Sequence, residues 1–299
     1  MEKFLSNRYV AMLGAVICTV LWGSAYPVIK YAYQTLNIET VPDKLLFAGI
    51  RFLIAGFFVF IVSLFINKKI PSVPKNKIMT LILFGLFQTG FAYLFNYIGV
   101  SNTTATKTSL LTALSAFLAV LFAPLFFRAE RLSAYKIIGC ILGLVGILIV
   151  NIGAFSGGFS FIGEGFVMIA CLSNVFGSFI GKSISKGRVF EITAYQLMIG
   201  SAVLILPAAF LGCNMTINFQ SVCIILYLAF VSAAAFSIWT ALLSFNEAGK
   251  ILIFNLLIPV TGAIWSYFIL GEKEIFTPLY LASVILICLG IVFVNLKKA

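Results

Sequence analysis

Polar side chains recur at helical spacing inside otherwise apolar segments of the sequence. In the third such segment, Gln88, Tyr93 and Asn96 fall on an arc of roughly 140° if each residue turns a helix by about 100°. Amide and phenol groups in such a row can hydrogen-bond a solute in a cavity, or they can bond a neighbouring helix. Both interpretations stay open for these three residues.

Two cations lie inside apolar segments, and either could bind an anion. Lys107 stands near the start of the fourth segment and is followed on one helical face by Thr108, Thr112 and Ser115. A lysine there can hold an anion with help from the positive helix N-terminus, or it can extend its amine to the surface of a bilayer. Arg51, in the second segment, has the same two interpretations, and we favour a structural role for it.

The sixth segment carries Asn174, Gly177, Ser178 and Gly181 at spacings that place them on one helical face. Two glycines four residues apart let a neighbouring backbone approach closely, so we predict a packing role for Gly177 and Gly181. Asn174 is the member of this row that we expect to face a substrate.

The eighth segment offers two opposite faces as cavity walls. Ser237, Thr240 and Ser244 share one face, whereas Trp239 lies on nearly the opposite one, so both cannot line the same narrow cavity. Hydroxyl groups in a helix also bond their own backbone, which is the alternative role for this row. We choose Ser237 as the candidate substrate ligand.

The ninth segment places Asn255, Pro259, Gly262 and Ser266 in register. Proline cannot donate to the carbonyl group four residues earlier, so the carbonyl of Asn255 is left without that bond. The result is either a packed kink or a group that binds a ligand. Pro259, together with Pro27 of the first segment, is a candidate hinge.

Several classes of chemistry are excluded by what the sequence lacks. It contains no His, Asp43 is its single Asp, and no acidic residue lies deep in an apolar segment. Ser-His-Asp catalysis, His-ligated metals and buried carboxylate relays therefore have no residues to use. The six cysteines lie far apart without a Cys-x-x-Cys pair, as is typical of small core residues. We predict no catalytic residue, no metal and no cofactor.

The elements that must position these residues are long apolar helices. Of the 299 residues, 62% are hydrophobic and 10% are charged, against roughly 25% charged residues in a soluble domain. A helix needs about 20 apolar residues to cross a bilayer. The sequence has ten such runs, at about 9–30, 45–66, 78–98, 104–127, 133–152, 162–183, 192–211, 219–245, 248–270 and 276–296. We therefore predict an all-α integral membrane protein with ten transmembrane helices.

The distribution of basic residues predicts the orientation of these helices. With the N-terminus inside, fifteen Lys and Arg residues fall in inside segments and two, Lys44 and Lys273, fall in outside loops. This bias marks cytoplasmic loops, so we predict that both termini are cytoplasmic. The net charge of +11 is spread over short loops, so no nucleic-acid partner is expected. The expected partners are membrane lipids and a small-molecule substrate, and the oligomeric state stays open.

The two halves of the chain, residues 1–152 and 153–299, repeat a pattern. Glu130 and Glu272 each precede a segment that ends in Gly-x-x-x-x-Asn, at Asn151 and Asn295. Because five helices is an odd number, consecutive copies must have opposite orientations in the membrane. Inverted repeats of this kind are frequent in secondary transporters, although channels and membrane enzymes can also be duplicated.

The sequence resembles the drug/metabolite transporter superfamily, EamA type, over nearly the whole chain. The matching features are Trp22-Gly23-Ser24 followed by Lys30, Arg51-Phe52-Leu53-Ile54-Ala55, Glu130-Arg131-Leu132 and Leu270-Gly271-Glu272. The resemblance implies two inverted five-helix repeats around a cavity lined mainly by helices 1, 3, 4, 6, 8 and 9. It also implies export or exchange of a small metabolite. Unlike the family's pattern, the first half has Phe117 where the second half has Pro259.

We therefore expect a permease of the cytoplasmic membrane that works by alternating access. Its favoured substrate is an amino acid or a related zwitterion or organic anion, because Lys107 and Arg51 are cationic and no buried acid opposes them. The alternative is a multidrug exporter that uses aromatic faces to bind aromatic or cationic compounds. A membrane enzyme lacks an acid–base group, and a channel lacks a filter motif. The predicted substrate-binding residues are Trp22, Gln88, Tyr93, Asn96, Lys107, Thr112, Asn174, Ser237 and Asn255, and the predicted hinge or packing residues are Pro27, Gly177, Gly181 and Pro259.

Overall fold

The computed structural model describes residues 2–150, 158–215, 218–271 and 277–296, and the regular elements in these ranges are all helical. After the single turn Glu2–Leu5, the helices of this part of the chain are α1 (Arg8–Thr35), α2 (Val41–Asn67), α3 (Lys75–Val100), α4 (Ala105–Phe126), α5 (Ala134–Val150), α6 (Phe161–Ile184), α7 (Val189–Leu211), α8 (Phe219–Phe245), α9 (Ala248–Leu270) and α10 (Pro278–Asn295). Each of them coincides with one apolar run of the sequence.

The helix ends follow local sequence signals. The hydroxyl groups of Thr40 and Thr104 accept hydrogen bonds from the backbone amides three residues later, at 3.3 and 3.2 Å, and so cap α2 and α4. Asn218 and Ser221 form a capping box at the start of α8. Gly271 ends α9 with a φ of 73°, a left-handed conformation that favours glycine.

The helices have the length and the surface of membrane spans. Among the described residues, eight helices are long and apolar enough to cross a bilayer, and α4 and α5 contain the shorter apolar stretches Leu111–Phe126 and Ala134–Ile149. Large apolar side chains point outward, among them Phe65 at 75% exposed and Phe210 at 88% exposed. Lipid tails tolerate such a surface, whereas water does not. The chain is therefore a multi-pass membrane protein.

Helices α1–α5 and α6–α10 pack against each other in a reciprocal pattern. Helix α2 packs on α7 and α5 packs on α10, which are helices at equivalent positions of the two halves. The contacts of α1 with α8 and α9 correspond to those of α6 with α3 and α4, and the contact of α2 with α8 corresponds to that of α7 with α3. At the α5–α10 crossing, a Cβ on Gly139 would lie 2.5 Å from the carbonyl oxygen of Gly290, and a Cβ on Gly290 would lie 2.6 Å from that of Gly139. The helix contacts within the two halves and between them therefore correspond in pairs.

Two helices that carry predicted polar residues are irregular near their middle. In α3, Leu86–Phe91 is π-helical and contains Gln88. In α9, the 3-10 segment Ile253–Leu256 separates two α-helical parts, just before Pro259. Proline has no amide hydrogen and so cannot make the regular α-helical bond to the residue four positions earlier. A short 3-10 segment before it is compatible with that missing bond. Helix α1, by contrast, remains α-helical through Pro27.

Some residues on which the sequence predictions depend lie outside the described part of the chain. They are Asn151, Glu272, Lys273, Lys297 and Lys298. Of the residues that carry the repeated pattern, the structure describes Glu130 and Asn295.

Candidate functional site

A cavity of about 610 Å³ lies among the helices and is lined by residues of α1 to α6, α8 and α9. Its lining runs from the middle of these helices to the face of the molecule that carries the α1–α2 and α3–α4 turns, where Tyr33, Lys44 and Ser101 line it. We call this the open face. The opposite, closed face carries the α4–α5 and α8–α9 turns, and none of their described residues lines the cavity. The volume suits a small metabolite, since ligand pockets commonly enclose about 300–1,000 Å³.

Most of the predicted substrate-binding residues meet in this cavity. Those that line it come from both halves of the chain, and they are Trp22, Gln88, Tyr93, Asn96, Thr112, Asn174 and Asn255. The predicted hinge residue Pro259 lines it as well. Lys107 and Ser237 are the predicted substrate residues that the structure places elsewhere.

Lys107 is not available as an anion anchor, because an acidic residue pairs with it near the open face. Its amine lies 2.7 Å from a carboxylate oxygen of Glu164 and donates to the carbonyl oxygen of Gly158 at 2.9 Å. The same carboxylate accepts from the hydroxyl of Thr103 at 2.8 Å and from the amide of Ser160 at 2.7 Å. We therefore correct the predicted role of Lys107: its charge is paired, and it joins the start of α4 to the start of α6.

Ser237 lies outside the cavity, in an apolar groove that α2, α7 and α8 form on the surface of the helix bundle. The groove is lined by Phe58, Phe190 and Phe230, among others. Trp239, on nearly the opposite side of α8, lines the cavity instead. Because one helix presents only one side to the cavity, the predicted role of Ser237 in substrate binding is also corrected.

Arg51 is a buried cation that lines the cavity. Its side chain lines the cavity, although the residue is only 4% exposed. Its guanidinium group lies 4.4 Å from the ring centre of Phe52 and 5.7 Å from that of Tyr93. It makes no hydrogen bond or ion pair with any described residue, and its buried Nε atom lacks a partner among them.

Aromatic side chains form much of the remaining lining, and we call this set the aromatic wall: Trp22, Tyr26, Tyr93, Phe236 and Trp239. The ring of Trp22 lies 5.0 Å from that of Trp239 and 5.5 Å from that of Phe236, both in edge-to-face contact. The indole Nε1 atom of Trp22 is buried and has no hydrogen-bond partner in the described residues. Such a wall can pack against an apolar ligand and still offer a hydrogen-bond donor.

The amide side chain of Gln88 lies where α6 approaches α3. The side-chain oxygen of Gln88 accepts a hydrogen bond from Ser178 at 3.1 Å. A Cβ on Gly177 would lie 2.6 Å from the Cα of Gln88, and one on Gly181 would lie 2.6 Å from the ring of Phe84. The two glycines therefore permit the close helix contact that holds Gln88 at the cavity.

The cavity carries positive charge. Among the described residues, Lys44 and Arg51 are the charged residues of the lining, and no Asp or Glu contributes to it. The described residues also contain no group of three or more His, Cys, Asp or Glu side chains that could hold a metal ion. An anionic group on a ligand would therefore find attraction in this cavity, and a cationic group would find none from carboxylates.

The closed face is held by a cluster around Glu130, which is 4% exposed. Its carboxylate lies 2.6 Å from the amine of Lys182 and accepts from the backbone amides of Ala248 and Gly249 at 2.7 and 3.3 Å. Lys182 also donates to the carbonyl oxygen of Asn246 at 2.5 Å. We call these five residues the Glu130 network. It ties the α4–α5 turn to the end of α6 and to the N-terminus of α9, whose partial positive charge favours a carboxylate.

Four phenylalanine rings lie between the cavity and the Glu130 network along α4 and α6. Phe122 and Phe176 have ring centres 6.4 Å apart, and Phe126 lies 5.6 Å from Phe176 and 5.1 Å from Phe179. Phe179 is buried, Phe122 and Phe176 are half-buried, and Phe126 is 54% exposed.

A second ionic cluster lies beside the Glu130 network. The Glu247 carboxylate lies 2.8 Å from the amine of Lys136 and 2.6 Å from that of Lys250. Burial disfavours its ionised form, but the hydrogen bonds from the two lysines outweigh burial and hold the pKa of Glu247 below its ordinary value.

Sequence reasoning did not single out several residues of the lining, among them Tyr26, Lys44, Ser232 and Phe236. Tyr26 could have been found, because it follows Trp22 at the four-residue spacing of one helical face. Lys44, Ser232 and Phe236 carried no such signal.

Comparison with known proteins gives consistent matches. The EamA-like transporter family matches residues 9–152 and again residues 161–296. A Bacillus subtilis protein named "Uncharacterized transporter YvbV" is 27% identical over 100% of this chain and 95% of its own length. A Salmonella typhimurium protein named "Probable amino-acid metabolite efflux pump" is 29% identical over 93% of this chain and 92% of its own length. A solved crystal structure with 18% identity matches 96% of both chains with a TM-score of 0.79, which shows a shared fold.

Proposed function

Because the chain belongs to the EamA-like transporter family, we propose that it is a secondary transporter that moves a small metabolite through the cavity by alternating access. The observation that carries this proposal is a cavity whose lining reaches one face, while the Glu130 network ties three chain segments together at the other. Access from one side at a time is what an alternating-access transporter requires.

We propose an anionic or zwitterionic substrate, such as an amino acid or a related organic acid. The charged residues of the described lining, Lys44 and Arg51, are both basic. The similarity to a protein named as an amino-acid metabolite efflux pump favours the same class.

The proposed architecture is ten transmembrane helices in two inverted five-helix repeats. The family match falls once on each half, and the helix contacts between the halves are reciprocal. The two halves would then rock against each other around the cavity, which receives residues from both.

We propose that the closed face is cytoplasmic and that the protein resides in the cytoplasmic membrane. Most Lys and Arg residues outside the helices fall in the segments on that side, as is typical of cytoplasmic loops. A similar Escherichia coli protein is named "Uncharacterized inner membrane transporter YedA". On this basis the structure corresponds to an outward-open state.

The second candidate function is export of aromatic or cationic drug-like compounds. The aromatic wall favours it, because indole and phenol faces attract cations. The absence of a carboxylate from the described lining weighs against it, since a cation would have no counter-ion there.

Transport in liposomes tests the proposal. Purified protein would be reconstituted, and exchange of labelled amino acids, organic anions, sugars and quaternary amines would be measured. We expect exchange of compounds that bear a carboxylate, and loss of it in Asn174→Leu, which alters the lining. The matched control is Asn67→Leu near the closed face, which should retain exchange. Exchange of quaternary amines alone would support drug export, and exchange of no compound by folded protein would contradict the proposal.

A further inference from the structure

We propose that Arg51 binds the carboxylate of the substrate, and that the substrate class is a carboxylate with an apolar body of aromatic size. This inference rests on the proposed transport function and specifies the chemistry of the same cavity. It concerns a residue for which the sequence favoured a structural role.

The first step is that Arg51 lacks an anionic partner. The residue is 4% exposed, and its guanidinium group forms no ion pair or hydrogen bond with the described residues. Its contacts with the rings of Phe52 and Tyr93 are attractive, but a cation–π contact recovers only part of what a buried cation loses on leaving water. A buried guanidinium group without an anionic partner can bind an anion from the cavity, and it can hold both oxygens of a carboxylate.

The second step is that two described acids near the open face, Asp43 and Glu164, have partners other than Arg51. The carboxylate of Asp43 accepts from the hydroxyl of Thr40 at 2.5 Å and from the amide of Asn214 at 2.8 Å. Glu164 is paired with Lys107. An anion that pairs with Arg51 would therefore come from the cavity, which the side chain of Arg51 lines.

The third step concerns the rest of the ligand. The aromatic wall offers ring faces to an apolar group of the ligand, and the buried indole N–H of Trp22 adds a second donor without a described partner. A ring or a branched aliphatic chain next to a carboxylate fits both features.

Ligands of equal shape and different charge test the inference. The probes are 3-phenylpropionate, its neutral amide and 3-phenylpropylamine, and binding would be read from the fluorescence of Trp22 and Trp239 in a Trp265→Phe background. We expect the carboxylate to bind at least about tenfold more tightly than the amide, as one charge-assisted hydrogen-bonded pair predicts, and the amine to bind no better than the amide. In Arg51→Gln the carboxylate should lose this advantage, and in Arg51→Lys it should keep part of it, because lysine is charged but cannot bind both oxygens in a fork.

The control variant is Lys107→Gln, which removes a paired cation outside the cavity lining and should leave the preference unchanged. If Arg51→Gln does not fold, the preference of the unmodified protein and of Arg51→Lys still decides the matter. An unmodified protein that binds acid and amide equally, or an Arg51→Gln protein that keeps the preference, would overturn the inference. If liposomes containing the unmodified protein exchange carboxylates in that case, the proposed function stands and only the role of Arg51 fails.

Discussion

At the scale of single residues, the contact between α6 and α3 depends on the missing side chain of Gly177. A Cβ there would lie 2.6 Å from the Cα of Gln88. Alanine gains up to about 1 kcal/mol of helix propensity over glycine, but overpacking against backbone costs about 1–3 kcal/mol. We expect Gly177→Ala to lower the unfolding temperature in detergent and to weaken ligand binding, because Gln88 must move.

Gly14→Ala is the matched control for this substitution. Gly14 also lies within a long helix, but a Cβ there would meet the terminal carbons of the flexible Leu242 side chain, at 3.2 and 3.3 Å. That side chain can shift by a few tenths of an ångström, so the unfolding temperature should stay near that of the unmodified protein. Equal destabilisation by both substitutions would show that Gly177 has no special packing role.

The same scale shows which features of the site the sequence can and cannot indicate. Helical spacing groups Gln88, Tyr93 and Asn96, and all three line the cavity, because neighbours on one helical face depend on local geometry alone. The choice between Lys107 and Arg51 depended on a partner distant in sequence: Glu164 neutralises the first, and no described acid neutralises the second. Spacing does not encode such a pairing.

At the scale of elements, the Glu130 network holds three chain segments together at the closed face. In Glu130→Gln, Lys182 would lose its ionic partner, and breaking a buried pair costs about 3–5 kcal/mol. Since the Lys182 side chain is 17% exposed, we expect a loss near the lower end of that range. The double variant Glu130→Gln, Lys182→Met should be less destabilised than the sum of the two single variants, because no charge is left unpaired. Thermal unfolding of the four proteins measures this coupling.

A half-buried acid, Glu191, provides the comparison. The Glu191 carboxylate accepts from Asn67 at 3.0 Å on the surface, so Glu191→Gln should change the unfolding temperature little. Strict additivity of the Glu130 and Lys182 substitutions would argue that the network does not hold the closed face.

The Glu247 cluster should make the stability of the closed face depend on pH. The folded-state pKa of Glu247 is lowered, so its contribution is fully present above the ordinary glutamate pKa of about 4.3 and is lost as the pH falls through the folded-state pKa. We expect the unmodified protein to exceed Glu247→Gln in unfolding temperature at pH 7, with the difference shrinking towards pH 4 and below. A difference that does not change with pH would mean that the carboxylate acts without its charge.

The helix bounds were largely predictable, whereas the irregular turns inside the helices were not. Apolar runs and cap residues such as Thr40 and Thr104 are local signals, and the observed helices follow them. Pro259 predicts an irregularity in α9, and the 3-10 segment Ile253–Leu256 lies close to it. The π-helical segment Leu86–Phe91 carries no proline, and its conformation depends on packing against α6 and α7 that the sequence of α3 does not contain.

At the scale of the whole molecule, the same helices contribute residues both to the cavity and to the contacts at the closed face. Helix α4 contributes Thr112 to the cavity and Phe122 to the phenylalanine rings below it, and α6 contributes Asn174 and then Lys182. A tilt of α6 relative to α4 that opened the closed face would therefore also change the cavity. This linkage allows a ligand near Asn174 to bias the state of the distant network, provided that it binds the two states differently.

The orientation of the whole molecule is the last prediction, and it joins the charge pattern to the cavity. Single cysteines at Ser101, on the open face, and at Arg131, on the closed face, would be introduced into a background with the native cysteines replaced. Because fifteen basic residues fall on the predicted inside and two on the outside, we expect a membrane-impermeant maleimide to label Ser101→Cys in intact cells. Arg131→Cys should be labelled only after the membrane is permeabilised. The reverse pattern would turn the cavity towards the cytoplasm, and the closed face would then be the one that opens to release substrate outside.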